Sequence, residues 1–294
     1  MSATLHNPYR EPEGRWIRGN FHCHCSEKSG CSTVPLADGV RRYHEIGSRF
    51  LAVTDHDCVT GLSEIAARYP DMIFLEGFEY SKCENVLFIG EKVPPLHHGT
   101  LDDALTGAGG LLTVICHPQP HPDEEYWPFD KIIALPRLPD GIEIYNGHYG
   151  IESMTARGIT PLYTALWDRL LTAGRRLWGF ANDDFHDPAD FDNAFNMALV
   201  REPSAAAVLD AAKNGRFYAS TGLLLDRVSE DGGRISVAVA DDCAGRFIGH
   251  GGAVLAEDAG RTFEYEATDE AYIRFEAEAE SGKLFLQPMF RTRG

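Results

Sequence analysis

Gly19-Asn20-Phe21-His22-Cys23-His24 reads as a short strand that ends in two imidazoles. Side chains alternate between the faces of a strand. His22 and His24 therefore point one way, and Cys23 and Cys25 the other, toward packing. Two parallel imidazoles at a strand end make half of a metal-ligand set. The same arrangement, an apolar run followed by polar residues, recurs along the chain. Phe50-Leu51-Ala52-Val53 leads into Thr54-Asp55-His56-Asp57, and Ile73-Phe74-Leu75 into Glu76-Gly77-Phe78-Glu79. Leu111-Leu112-Thr113-Val114-Ile115-Cys116 stops at His117-Pro118, and Leu177-Trp178-Gly179-Phe180-Ala181 runs into Asn182-Asp183-Asp184-Phe185-His186.

In a parallel α/β sheet the loops at the carboxyl ends of the strands converge on one opening. Read together, these ends name His22, His24, His56, Glu79, His117, Asp184 and His186 as metal ligands. Gly77 permits a bend that aims Glu79, whose carboxylate can bridge two cations. Asp184 and His186 repeat the spacing of the opening pair. Asp183 and the mid-strand Glu143 are read as groups that orient imidazoles. Asn146 and His148 lie at the mouth, with His148 equally readable as a solvated loop residue. His97, His98 and His121 are read as solvated, and Glu76 as a surface carboxylate.

Between these ends lie amphipathic stretches, at Pro35–Ile46, Leu62–Arg68, Leu101–Ala108, Thr160–Ala173 and Ser204–Asn214. Pro35 suits a first helical turn and Ser204 a cap. This alternation predicts an α/β fold with a mainly parallel sheet that can close into a barrel. After Gly222 the texture changes. Arg234–Val239, Thr262–Glu266 and Tyr272–Glu278 alternate with period two, which predicts antiparallel strands with one face in water. The division is thus residues 1–222 and a small β module over 223–294.

The chain has 294 residues and a formal net charge of −17. An acidic excess of this size repels phosphate backbones, so long nucleic acid is not an expected partner. No apolar run is long enough to span a bilayer, and the polar stretch from Met1 to Arg18 is neither signal nor anchor, so a cytoplasmic location is expected. The seven cysteines are odd in number and lack paired CxxC spacing, which points to reduced thiols rather than disulfides or a structural zinc module. There is no GxxxxGK[ST] phosphate loop and no G-x-S-x-G elbow.

Taken in order, His22-Cys23-His24, Thr54-Asp55-His56-Asp57, Gly77-Phe78-Glu79, His117-Pro118 and Asp184-Phe185-His186 resemble the polymerase-and-histidinol-phosphatase (PHP) superfamily over nearly all of residues 16 to 222. The resemblance implies a distorted (β/α)7 barrel with two or three divalent metal ions at its mouth, and hydrolysis of phosphoesters. It implies that His22, His24, Glu79 and Asp184 hold one ion, Glu79 and His117 a second, and His56 and His186 a third. The region after residue 222 is similar to the β module that follows the barrel in some members. Two positions depart from the pattern. Ser29 stands where an acid or His is usual, and Asn85 where many members have a His, so the third ion is expected to be weakly held or absent.

The expected function is hydrolysis of a phosphoester bond in a small phosphorylated metabolite, with metal-activated hydroxide as nucleophile. His56 and His186 are expected to be catalytic, handling protons at the leaving group, and Lys28 and Arg175 to contact substrate phosphate. Mixed His and carboxylate ligands accommodate Zn, Mn or Fe. The alternatives are amide or lactone hydrolysis on the same barrel, and a non-catalytic metal-binding module. A homo-oligomer is compatible with the sequence, which leaves open whether the β module covers the active site or makes a dimer interface.

Overall fold

The computed structural model describes residues 5–11, 14–121 and 125–292. Residues 1–4, 12 and 13 of the polar N-terminal stretch lie outside the described residues. Sixteen strands form one continuous hydrogen-bonded network. The first ten are β1 (Leu5–His6), β2 (Arg15–Asn20), β3 (Phe50–Val53), β4 (Ile73–Tyr80), β5 (Val86–Gly90), β6 (Leu112–Ile115), β7 (Gly141–Asn146), β8 (Trp178–Asn182), β9 (Phe195–Val200) and β10 (Phe217–Ser220). The helices are α1 (Leu36–Glu45), α2 (Ser63–Arg68), α3 (Leu101–Gly107), α4 (Phe129–Ala134), α5 (Gly147–Gly150), α6 (Glu152–Thr155), α7 (Thr164–Thr172) and α8 (Ala205–Lys213). Among the described residues, no helix is long and apolar enough to cross a membrane.

The predicted amphipathic stretches all become helices, each trimmed at one end or both. Pro35 stands at the cap of α1 rather than inside it. Ser204 caps α8 by accepting from the Ala207 N–H. The strands curl around a shared apolar cluster to which β2, β3, β4, β5, β6, β8 and β9 contribute Ile17, Phe50, Leu75, Leu87, Val114, Phe180 and Ala198. α8 adds Val208, Leu209, Ala211 and Ala212 to the same cluster. The outer faces are covered by α3, α4 and α7, which bring Leu105, Ile132 and Trp167, and by α1 and α2, which bring Val40, Tyr43 and Ile65.

The mainly parallel closed barrel expected from the sequence is corrected in two respects. β2, β3 and β4 are parallel, as are β6, β7 and β8, but β5 runs antiparallel between β4 and β6, and β9 antiparallel to β2. The sheet is also not closed. β8 pairs only with β7, and beyond its end it meets the extension of β2 at a single bridge, Cys23 to Phe185. Buried amides do the rest. Asn196 accepts from the Ala181 N–H at 3.2 Å and donates to the Ala181 carbonyl at 2.7 Å. Gln287 does the same to Gly179, at 2.8 and 2.7 Å. Asn182 accepts from the Phe21 N–H at 3.2 Å, and Asn20 from the Asp183 N–H at 3.3 Å. Asn196 and Gln287 each present the donor–acceptor pair a peptide group would present, so the Gly179 and Ala181 positions on the edge of β8 are satisfied without a partner strand.

The C-terminal strands are β11 (Leu225–Asp231), β12 (Arg234–Ile248), β13 (Val254–Glu266), β14 (Tyr272–Ala279), β15 (Gly282–Leu286) and β16 (Met289–Arg291). All their mutual pairings are antiparallel, as the period-two pattern predicts, and one face packs on Leu225, Ile235, Val237, Phe247, Phe263 and Phe275. β15 pairs with β10, so the module continues the sheet, and β1 joins it through β16. The N-terminal residues thus pack with the far end of the chain.

A buried ionic relay ties this module to α7. Arg274 donates to Asp168 on α7 through Nε at 2.7 Å and Nη2 at 2.6 Å, and also pairs with Glu276. Arg246 donates to Glu276 from Nε at 2.7 Å. Burial alone raises the Glu276 carboxyl, but the two arginines outweigh it and hold it below its ordinary value. Removing Asp168 takes the acceptor from two donors of the buried Arg274, which keeps Glu276, so Asp168→Ala is expected to cost about 1–3 kcal/mol in urea unfolding. Because the folded Glu276 carboxyl is depressed, its contribution is complete at neutral pH and falls as pH drops below the ordinary carboxylate range. An unchanged urea midpoint for Asp168→Ala would remove the relay from the account of stability.

Candidate metal centre

β2 ends at Asn20, so His22, Cys23 and His24 follow the strand rather than lie within it. The alternation survives because the segment stays extended. The Cys23 carbonyl accepts from the Thr54 N–H at 2.8 Å, and the His24 N–H donates to the Phe185 carbonyl at 3.1 Å. Cys23 packs outward with Val34, Val40 and Tyr43. Both imidazoles turn inward, with ring centroids 5.0 Å apart, and are fully buried.

Glu79 arrives from β4. Gly77 does not bend that strand, which runs unbroken to Tyr80. Its role is close approach, because a Cβ there would lie 2.8 Å from Thr54 Cγ2 and 3.0 Å from the Phe88 carbonyl. His117 follows β6 and Asp184 follows β8, both in left-handed backbone with φ of 25° and 52°. Such backbone costs a non-glycine residue about 1–3 kcal/mol and persists where its surroundings dictate it. The sharp turns aim both side chains into the opening.

The structure thus brings all seven predicted ligands together. His22 Nε2 lies 3.1 Å from Asp184 Oδ1 and 3.4 Å from Glu79 Oε2; His24 Nε2 lies 3.2 and 3.4 Å from the same two oxygens. Four donors bound to one ion at about 2.0–2.1 Å in a tetrahedron stand about 3.3 Å apart. These four contacts match that edge. His22 Nε2 is also buried with no hydrogen-bond partner, as expected of an atom that faces a cation. The donor set therefore fits a divalent ion. His117 Nε2 is 3.1 Å from Glu79 Oε1, on the other side of the carboxylate, and His56 Nδ1 is 2.9 Å from Glu79 Oε2. His24, His56 and His186 form a second group of converging donors.

Electrostatics sets the protonation of this cluster. Burial disfavours a charged His22, yet Asp184, Glu79 and Glu143 outweigh it and push its pKa well above the usual imidazole value. His24 lacks the Glu143 contact. Burial and the neighbouring His186 and His22 carry it down to about 4, which leaves it neutral and ready to ligate. Burial favours neutral acids, but the imidazoles hold both Glu79 and Asp184 well below the carboxylate range.

A further layer holds the candidate ligands. Glu143 accepts from His22 Nδ1 at 2.8 Å, the His117 N–H at 2.7 Å and the side chains of Asn182 and Asn146 at 3.0 Å. Asn146 also donates to Asp184 Oδ2 at 3.1 Å. Asp183 does not orient an imidazole. It accepts from the Tyr43 hydroxyl at 2.7 Å and from the Ala194 and Asp192 N–H groups, pinning the loop after β8. Ser29 donates to Asp55 at 2.6 Å, and Asp55 also accepts from the Cys25 N–H at 2.9 Å. Asn85 donates to Glu79 Oε1 at 2.6 Å and accepts from the Tyr126 hydroxyl at 2.5 Å. The roles of Asp55, Asn85 and Tyr126 have no local spacing that announces them.

Lys28 is exposed in the turn that follows His24. Arg175 is not brought to the cluster. It donates to the Ile133 carbonyl at 3.5 Å and precedes β8, at the end of that strand opposite Asp184. Replacing Glu143 with Gln keeps its shape but removes the charge behind His22. Such supporting carboxylates are worth about 10–100-fold in metal affinity. Chelator competition should report a loss of that size, and wild-type affinity would remove Glu143 from this role.

No protein-family model matches the sequence, and no curated protein does. Solved structures do. A two-domain protein from Bacteroides vulgatus, containing a predicted PHP-like metal-dependent phosphoesterase, is 15% identical with a TM-score of 0.56, over 96% of this chain and 94% of that one. An amidohydrolase from Chromobacterium violaceum, with bound sulfate and no metal, is 18% identical with a TM-score of 0.42, over 58% and 88%. A candidate metal-dependent phosphoesterase from Bifidobacterium adolescentis is 16% identical with a TM-score of 0.36, over 57% and 87%. This chain shares, along nearly its whole length, the fold of the two-domain PHP-like protein.

Proposed function

We propose that the chain is a metal-dependent hydrolase of phosphoester bonds in a small phosphorylated substrate. The observation that carries this reading is the set of four buried donors, His22 Nε2, His24 Nε2, Glu79 Oε2 and Asp184 Oδ1, spaced as one ion requires. We read the curled sheet, with its single Cys23–Phe185 rung, as a distorted (β/α)7 barrel, and the region from residue 223 as its β module. A cytoplasmic site of action suits the acidic chain and its seven free thiols.

His22, His24, Glu79 and Asp184 would hold one ion, Glu79 and His117 a second, and His56 and His186 a third. Zn, Mn and Fe all suit these ligands. Bound there, the ions supply Lewis-acid activation of water and of the phosphoryl group. The chain's own residues do the rest. Glu143 keeps the His22 proton on Nδ1, so that Nε2 faces inward. The buried walls keep bulk water from the carboxylates. His56 is the most exposed of the seven, with 31% of its side chain open, and His186 follows at 10%. Where the third ion is absent, these two imidazoles can instead deliver a proton to the leaving group. Lys28, exposed on the turn after His24, is the residue we assign to contact a phosphate.

Glu79→Ala is expected to abolish both metal loading and turnover, and a folded variant that still hydrolyses phosphoesters would overturn the assignment. Metal-loaded protein should be assayed against phosphomonoesters, phosphodiesters, amides and lactones. Turnover is expected on phosphoesters; turnover on amides or lactones alone would replace this reading with the other hydrolase.

A further inference from the structure

One imidazole at the rim lies outside the seven ligands yet is built like them. His148, at the start of α5, has its Nδ1 3.0 Å from Asp190 Oδ1. Asp190 is fully buried. Its other oxygen accepts from the His186 N–H at 2.9 Å and the Asp187 N–H at 2.8 Å, so the carboxylate is held in place. A carboxylate that fixes one ring nitrogen leaves the other free to ligate, which is the usual support of a metal-bound histidine.

Three of the candidate ligands already described hold Nδ1 in the same way. His22 turns Nδ1 to Glu143 at 2.8 Å, His186 to the Asp184 carbonyl at 2.8 Å and His24 to Ser29 Oγ at 3.3 Å. In each case Nε2 is left for the cluster. The His148 ring lies 5.3 Å from the His186 ring, and donor atoms of His148, His186 and Asp190 lie within 4.8 Å of one another. Ser29 offers no competing oxygen, because its hydroxyl donates to Asp55 and faces His24 Nδ1.

We propose that His148 is a further metal ligand, presenting Nε2 to a divalent cation that it shares with His186, and that Asp190 is the positioning residue that orients it. This rests on the metal-dependent reading above and adds to it the donor that the Ser29 side lacks.

The test is metal content and affinity in the full chain, loaded with Zn or Mn, measured by elemental analysis and chelator competition. His148→Gln leaves both backbone contacts of Asp190 intact. It is expected to bind one equivalent fewer than wild type, with the tighter equivalents and the melting temperature unchanged. Asp190→Asn is expected to weaken that same equivalent about 10–100-fold, and serves also if the first variant does not fold. Wild-type stoichiometry and affinity in either folded variant would overturn the proposal while leaving the hydrolase reading intact. A wild-type chain that takes up no divalent cation would overturn both.

Discussion

Three carboxylates, Glu79, Asp184 and Glu143, sit within the same few ångströms with almost no access to water. Removing one such ion from water costs several kcal/mol even after the protein relaxes, and three together repel one another. No apolar packing offsets that. The surrounding chain is arranged to do so instead, with imidazoles on the inner side and amide or backbone donors on the outer. Without a cation, His22 supplies the positive charge. Divalent ions would supply more of it, and the same spacing that makes the cluster costly when empty makes it a strong cation trap.

The candidate ligands stood out in the sequence because most lie within a few residues of the end of an apolar run, His117 directly after one. A parallel strand with both faces buried must be apolar, as the fully buried β3 and β6 are, so its end is marked by the first polar residues. The architecture between those ends was less legible. Nothing in Val86–Gly90 distinguishes an antiparallel strand from a parallel one, since both are apolar and the direction depends on the length of the preceding turn. Gly77 shows the same limit. A glycine serves equally for a bend or for close approach, and only the neighbouring Thr54 and Phe88 decide.

Supporting residues were the least legible. Glu143 could be suspected from its place in the middle of a buried strand. Asp183 directly precedes Asp184 and yet serves the loop behind it, because consecutive residues leave a strand end in opposite directions. Arg175 illustrates the reverse error. A cation near a ligand strand in sequence lies at the wrong end of it when the strand must be traversed first.

The amide-lined seam between β8 and the strands beside it bears on the cations themselves. His22 and His24 hang from one bank of the seam, after β2, and Asp184 from the other, after β8. Among the described residues the backbone joins those banks at the Cys23–Phe185 rung and, further along the loop, where the Thr33 N–H donates to the His186 carbonyl at 2.9 Å. An ion held by His22, His24 and Asp184 would therefore be a rivet as well as a reagent. It would fasten the start of the curled sheet to its last parallel strand, so that loading the centre and setting the curvature of the sheet become one event.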